Sequence, residues 1–305
     1  MPDYCLCCLG EVDPDARLGL HRACVRELFG TTKVPNIEVD PESLHLFGRQ
    51  MAGKVSISGL QRKVSLGWVK RTLRVSAEGS AYILKPEASL PELPANEHLT
   101  LRLANLAGLD TPPNGLVRLA GDRLCLLVKR FDRTPRGERH LMEDFCQLNG
   151  LYAGEKYNGS AELCVHTVRE YASELLVDML RLFRQMLFSW WVGNGDLHLK
   201  NLSLLSVDSG PPRLSPAYDL VNTTLVIPDD PLALSVSGKK SELSREDWEQ
   251  FGEYCELPPR LVVRELDALA NLLGDATDLV ANSFLSDDMK SAYEYLLHER
   301  TAALS

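Results

Sequence analysis

The chain has 305 residues, 45% hydrophobic and 25% charged, a balance ordinary for a globular protein with a substantial core and about two domains. Its net charge of −9 opposes nucleic-acid binding by simple phosphate neutralisation and suits a basic protein partner. No apolar run approaches the roughly 18 residues of a membrane span, and the start, MPDYCLCC, lacks the basic-then-apolar order of a secretory signal. The expectation is therefore a cytoplasmic protein with no direct nucleic-acid or membrane partner.

The first feature in chain order is a cysteine and histidine pattern. Cys5 and Cys8 form C-x-x-C, and His21 and Cys24 form H-x-x-C. Soft ligands at these spacings suit tetrahedral Zn²⁺. Asp13-Pro14-Asp15 offers a turn between the two pairs. A helix is predicted over Leu20–Leu28, stopping at Gly30, with His21 and Cys24 on one face. So short a segment has no apolar core of its own, so residues 1–30 are expected to be a knuckle held by structural Zn²⁺, with Cys7 as a surplus thiol. Residues 31–50 are polar and contain proline, as a linker does. Cys125, Cys146, Cys164 and Cys255 are expected as buried reduced thiols.

Ser56-Ile57-Ser58-Gly59 is a small-residue turn ahead of a strand. Such turns can fold backbone amides over phosphates, although an ordinary serine-rich turn looks the same. Val64, Leu66 and Trp68, then Leu73 and Val75, alternate with polar positions and predict a hairpin of half-buried strands. Ala81–Lys85 is the next strand; Lys85 ends it before Pro86, where it can reach phosphates or sit in solvent. A helix follows over His98–Leu106, opened by Asn96-Glu97. Glu97 can pair with Lys85 or serve as a first-turn acid favoured by the helix dipole. Leu116–Val117 and Leu124–Val128 are two more strands around the turn Ala120-Gly121-Asp122. Lys129 and Phe131 follow at a hinge position, where Phe131 can stack on a purine or fill core.

Beyond a polar turn at Arg133–Gly137, helices are predicted over His140–Leu148 and Val165–Leu176, joined by the glycine-rich stretch Gly150–Gly159. The strongest helical signal lies in Glu170–Trp191, where apolar residues recur at three- and four-residue steps. Gly193 caps that helix and releases the loop GNGDLHLKN. In it, Asp196 and Asn201 form D-x-x-x-x-N, and His198 orients Asp196 or packs under it. Strands over Leu202–Val207 and Leu214–Tyr218 form a hairpin that ends at Asp219. Protein kinases use an aspartate base, an asparagine for Mg²⁺ and a later aspartate for the metal bridging the phosphates. Lys85, Asp196, Asn201 and Asp219 follow one another in the order such an ATP–Mg²⁺ site requires. The remaining helices are predicted over Glu246–Tyr254, Arg260–Gly274 and Met289–Ala303.

The blocks SISGLQRK, YILKPE, LPANEHLTLRLA, LVKRFDR, EDFCQ, GNGDLHLKN and PAYDL together resemble the HipA-type serine/threonine kinases, toxins of bacterial toxin–antitoxin modules, from Ser56 onward. The resemblance implies an α+β, two-lobed kinase-like fold, with a small β-rich lobe over residues 51–133 and a larger helical lobe over 134–305. It implies ATP and Mg²⁺ as cofactors, Asp196 as the base, Asn201 and Asp219 as Mg²⁺ ligands, and Lys85 as the phosphate contact. Ser58, Gly59, Lys129, Phe131 and His198 complete the expected nucleotide site. Ser56 matches the family's autophosphorylated position, with Ser58 a second candidate. A phosphate there adds about −1.5 to −2 of charge beside ATP and should expel the loop. The family's substrates are aminoacyl-tRNA synthetases. Shortened members lack an N-terminal subdomain that a separate small protein can replace, and a cognate antitoxin is a further expected partner. Two rival readings are a small-molecule kinase of the aminoglycoside or choline kinase type and a catalytically silent module in a repressor complex.

Overall fold

The period-2 pattern of the first half and the 3.6-residue pattern of the second are realised as a sheet and a helical body. The structure is a computed structural model that describes residues 3–12, 17–39, 63–76, 79–87, 90–119, 123–134 and 137–305. Ser56, Ser58 and Gly59, and the turns expected at Asp13–Asp15 and Ala120–Asp122, lie outside the described residues.

Strands β1 (Asn36–Glu38), β2 (Val64–Val69), β3 (Thr72–Val75), β4 (Tyr82–Pro86), β5 (Asn114–Leu119) and β6 (Arg123–Lys129) form one sheet in the order β1-β3-β2-β4-β6-β5. All neighbours are antiparallel except β1, which runs parallel to β3. β1 corrects the linker expectation. Part of that polar stretch adds an edge strand to the sheet, with Ile37 opposite Leu73. In β4, Lys85 stands opposite Leu126 of β6, the middle of the sheet's buried face.

Helix α1 (Arg22–Phe29) ends at Gly30 in the left-handed conformation (φ 67°) that glycine adopts without a Cβ penalty. Helix α2 (Leu93–Leu106) packs on β5 and β6. It begins earlier than expected, with proline in its first turn, where a missing N–H costs nothing. Every residue from Leu93 to Leu101 is buried, including Asn96, Glu97 and His98, so these polar groups must find partners.

In the second half, the helix predicted over His140–Leu148 is corrected. Leu141–Asp144 is strand β7, and only Phe145–Leu148 is helix α3. Asp144 is a far better cap than an interior helical residue. It accepts from Gln147 N–H at 2.9 Å while the Gln147 side chain accepts from Asp144 N–H at 3.0 Å. Helices α4 (Ala161–Tyr171) and α5 (Leu175–Trp191) replace two predictions that overlapped, because Ala172 is extended (ψ 141°) and breaks the run. Strands β8 (Ser203–Ser206) and β9 (Arg213–Leu214) complete a small sheet in the order β7-β8-β9. β9 stops well short of Tyr218, so Asp219 sits in the segment after the hairpin. At the C-terminal end come α6 (Arg245–Tyr254), α7 (Pro259–Ala270), α8 (Leu273–Ala281) and α9 (Asp287–Ala302). The single helix expected over Arg260–Gly274 is therefore two, divided where Asn271 caps α7.

One continuous apolar cluster runs from Cys5 and Leu28 through Leu84 and Leu126 to Trp191 and Leu297. Trp190, Trp191 and Trp248 are fully buried, and Trp191 Nε1 donates to Thr301 Oγ1 at 2.9 Å. Cys125, Cys146, Cys164 and Cys255 are buried and free. Among the described residues, no helix is long and apolar enough to cross a membrane.

Candidate functional site

The loop after α5 is built by its own polar side chains. Gly193 (φ +68°) turns the chain where a Cβ would lie 2.6 Å from Leu296, and its carbonyl accepts from Thr223 N–H at 2.9 Å. Gly195 N–H donates to Thr223 Oγ1 at 2.9 Å, and Thr223 in turn donates to Asp230. Asn194 Oδ1 accepts from Asp196 N–H at 3.2 Å, and Asn201 Nδ2 donates to the Asp196 carbonyl at 3.0 Å. Asn201 has thereby committed its amide nitrogen, which leaves Oδ1 as the group offered to a hard cation. Tyr157 donates to Asp196 Oδ1 at 2.7 Å and packs edge-on against His198, ring centroids 5.2 Å apart. The glycine-rich stretch is tied to the loop a second time, through Leu199 N–H on the Lys156 carbonyl at 3.1 Å.

Neither ring nitrogen of the buried His198 has a hydrogen-bond partner among the described residues. Burial, with the Lys156 charge adding, pushes its pKa down to about 4, so the ring is neutral at physiological pH. Asp230 has its pKa raised, chiefly by burial and further by the nearby Asp196 charge.

The second half of the site is an ion cluster. Lys85 Nζ donates to Glu97 and, at 2.5 Å, to Asp219 Oδ1, while Lys63 Nζ reaches Asp219 Oδ2 at 2.6 Å. Lys85 and Glu97 are almost fully buried; Asp219 is 20% exposed. Burial alone would depress the Lys85 pKa, but the Asp219 and Glu97 charges outweigh it and raise it. Burial acts against the Asp219 carboxylate too, and Lys63 and Lys85 overcome it, so its pKa falls. Asp219 holds φ +53°, a left-handed conformation that asparagine and aspartate tolerate better than most residues. The alternatives for Glu97 resolve here. With the helix starting at Leu93, Glu97 lies beyond the first turn and is the partner of Lys85.

Lys85 and Asp219 line a cavity of about 190 Å³ together with Lys129 and Phe131. Ile83, Leu101 and Met142 give it apolar walls suited to a flat heterocycle. Phe131 meets Tyr218 at 5.5 Å between centroids. Asp196, Asn201 and His198 stand outside that lining, and Lys156 feels carboxylates from both halves of the site. The half-buried Lys156 has its pKa lowered by burial while Asp196 and Asp219 both act to raise it. Two bonds tie α2 to the segment after Asp219. Asn96 Nδ2 donates to the Asn222 carbonyl at 2.8 Å, and Asn96 Oδ1 accepts from Asn222 N–H at 2.9 Å. Sequence reasoning missed Lys63, Lys156 and Tyr157. Lys156 and Tyr157 lie inside the glycine-rich stretch, where no motif marks them.

The arrangement fits Mg–ATP. Carboxylate and amide oxygens are hard ligands, two ammonium groups meet the anion-binding face, and an apolar slot adjoins them. At the other end, the ligand atoms of Cys5, Cys8, His21 and Cys24 all lie within 4.8 Å of one another. A tetrahedral Zn²⁺ with sulfur at about 2.3 Å spaces its ligands roughly 3.8 Å apart, so a small contraction closes this set. His21 is prepared for it, with Nδ1 3.2 Å from Cys8 Sγ and Nε2 held by the Glu11 carbonyl at 2.8 Å.

Residues 55–276 match the family described as HipA-like C-terminal domain. The putative kinase Y4dM of Sinorhizobium fredii is 32% identical over 246 residues, covering 73% of this chain and 59% of the relative. The serine/threonine-protein kinase toxin HipA of Shewanella oneidensis is 27% identical over 248 residues, covering 73% of this chain and 56% of the relative. The chain thus spans less than two thirds of the length of these relatives. Among solved structures, that HipA, in a complex with HipB and operator DNA, superposes with a TM-score of 0.69 at 21% identity, covering 96% of this chain and 73% of that one. The proinflammatory kinase CtkA of Helicobacter pylori gives 0.53 at 15% identity, covering 79% of this chain and 90% of that one. Both likenesses show a mixed α/β, kinase-like fold. Since the matched residues run from β2 through the D-x-x-x-x-N loop and Asp219 to α8, the chain belongs to the HipA-like C-terminal domain family.

Proposed function

We propose that this chain is an ATP- and Mg²⁺-dependent serine/threonine protein kinase, with residues 51–133 as its small lobe and 134–305 as its large lobe. The observation that carries the reading is the buried Lys85–Glu97–Asp219 cluster, together with the loop in which Asn201 is bonded to Asp196. Bound Mg–ATP supplies the transferable phosphoryl group and the cation that neutralises it. Lys85, anchored by Glu97, gives its charge to the phosphate oxygens. Asp219 and the Asn201 Oδ1 present the metal ligands. Asp196 takes the proton of the acceptor hydroxyl, and Tyr157 fixes the rotamer in which it does so. A neutral His198 beside them avoids a buried cation that would compete for Asp196. Lys129 and Phe131 border the adenine slot, and Ser58 and Gly59 cover the phosphates in this reading, with Ser56 or Ser58 the autophosphorylated residue.

In this reading the chain is a toxin of a toxin–antitoxin module that phosphorylates a translation protein such as an aminoacyl-tRNA synthetase. Its partner in this reading is an antitoxin. The Shewanella neighbour was solved with HipB and operator DNA, so the charge-based exclusion of nucleic acid is dropped. The knuckle over residues 1–30 carries a structural Zn²⁺. Titration calorimetry with Mg–ATP, followed by intact-mass measurement, tests the enzyme reading. Gain of phosphate by the wild type but not by Asp196→Asn supports it. Absence of nucleotide binding at millimolar ATP favours the silent module, and binding with transfer only to small alcohols favours the small-molecule kinase.

A further inference from the structure

The knuckle and the candidate active site share helix α2. The turn that supplies Cys5 and Cys8 also carries Leu6 and Cys7, and both reach the kinase-like body by backbone groups. The Leu6 carbonyl accepts from Leu116 N–H of β5 at 2.7 Å. The Cys7 carbonyl accepts from His98 Nε2 of α2 at 2.9 Å. His98 follows Glu97, the residue that holds Lys85, and both are buried to within 2% exposure. Cys7 is spare as a ligand for a reason visible in the packing: its Sγ fills the space beside Gly115, where any Cβ would collide with it. α1 adds a third attachment, the Leu28 carbonyl accepting from Tyr82 of β4 at 2.9 Å.

We infer that metal binding at Cys5, Cys8, His21 and Cys24 sets the position of α2, so that the knuckle is a metal-operated clamp on the Lys85–Glu97 pair. The inference rests on the Zn²⁺ reading of the knuckle and goes beyond a purely structural role for it. A turn this short is ordered by its metal, because binding free energy is folding free energy in such modules. Once Leu6 and Cys7 lose their fixed places, the His98 bond and the apolar contacts of Leu6, Leu9 and Leu28 with the sheet go with them. α2 would then keep its contacts with β5 and β6 and its Asn96 bonds, but Glu97 would lose the support behind it. The ligands would be three thiolates and one imidazole, so a soft-metal chelator releases the clamp, as does a peroxide that oxidises two of the thiolates to a disulfide and is itself reduced to water.

The test uses the full chain and Zn²⁺ itself. Metal content is read by thiol modification with a zinc-sensitive dye. Amide hydrogen exchange over residues 93–106 is read with and without a chelator, and Mg–ATP affinity is read under the same conditions. The expected result is one Zn²⁺ per chain, at least tenfold faster exchange in α2 after chelation while α5 is unchanged, and weaker Mg–ATP binding. His98→Leu, which touches no ligand, should keep its Zn²⁺ yet show the faster α2 exchange before chelation. Bound Zn²⁺ with α2 exchange insensitive to its removal overturns the clamp and spares the metal reading. Absence of Zn²⁺ overturns both. Because exchange is measured without turnover, failure of the kinase reading shows separately, as absent Mg–ATP binding.

Discussion

The knuckle and the cleft are both constellations of ligands, but the sequence brings them together by opposite means. Cys5, Cys8, His21 and Cys24 come from one short stretch, and their spacing alone nearly fixes the geometry. The cleft draws on Lys63, Lys85, Glu97, Asp196 and Asp219, and Asp219 meets Lys63 and Lys85 from more than a hundred positions away. The knuckle would gain its order from the Zn²⁺ proposed for it. The cleft is ordered in advance by buried charge, with Lys85 held between Glu97 and Asp219. A site of the first kind can be read from spacing, whereas one of the second kind can be read only where each member happens to end a predicted element.

The sharpest break in that comparison is at the base. Asp196→Asn keeps the hydrogen bonds of the loop but removes the proton acceptor. Phosphotransfer should fall by about 10²–10⁴-fold, with Mg–ATP affinity nearly unchanged by calorimetry. Next comes the buried pair. Lys85→Ala leaves Glu97 as an uncompensated charge and should cost about 3–5 kcal/mol in denaturant unfolding as well as nucleotide affinity. Removing both partners, as Lys85→Met with Glu97→Leu, should recover most of the stability and none of the activity.

A third prediction concerns pH. His198 is held neutral, with its pKa lowered from 6.5 to about 4. The unfolded chain therefore binds more protons than the folded one between those values, so stability is present above about pH 6.5 and declines as pH falls. The loss is on the order of 3 kcal/mol by pH 4. His198→Gln should flatten that part of the stability profile, measured by urea unfolding. The smallest effect is expected from Tyr157→Phe. Losing one bond to a carboxylate should lower kcat about tenfold and leave the KM for ATP unchanged.

Much of the cleft was legible because chemistry lies close to element ends: Lys85 is the penultimate residue of β4, and the D-x-x-x-x-N loop follows the Gly193 cap. Glu97 was undecided because its meaning depends on where α2 begins, and proline in the first turn moved that start to Leu93. Tyr157 carries no motif; it reaches Asp196 only because the glycine-rich stretch folds back on the loop. The misplaced helix at His140–Leu148 has the same origin. A short apolar run reads equally as strand or helix until Ser203–Ser206 arrives to pair with it. β1 was missed because a three-residue edge strand with one apolar residue has no periodicity to detect.

The central claim is that Lys85, Asp196, Asn201 and Asp219 act together on one bound nucleotide. Its most direct test is intact-mass spectrometry of the chain after incubation with Mg–ATP, set beside Asp219→Asn at equal concentration. Phosphate incorporation by the wild type and none above background in the variant is the predicted result. Equal incorporation by both, with Asp219 unable to hold the metal, would contradict the account.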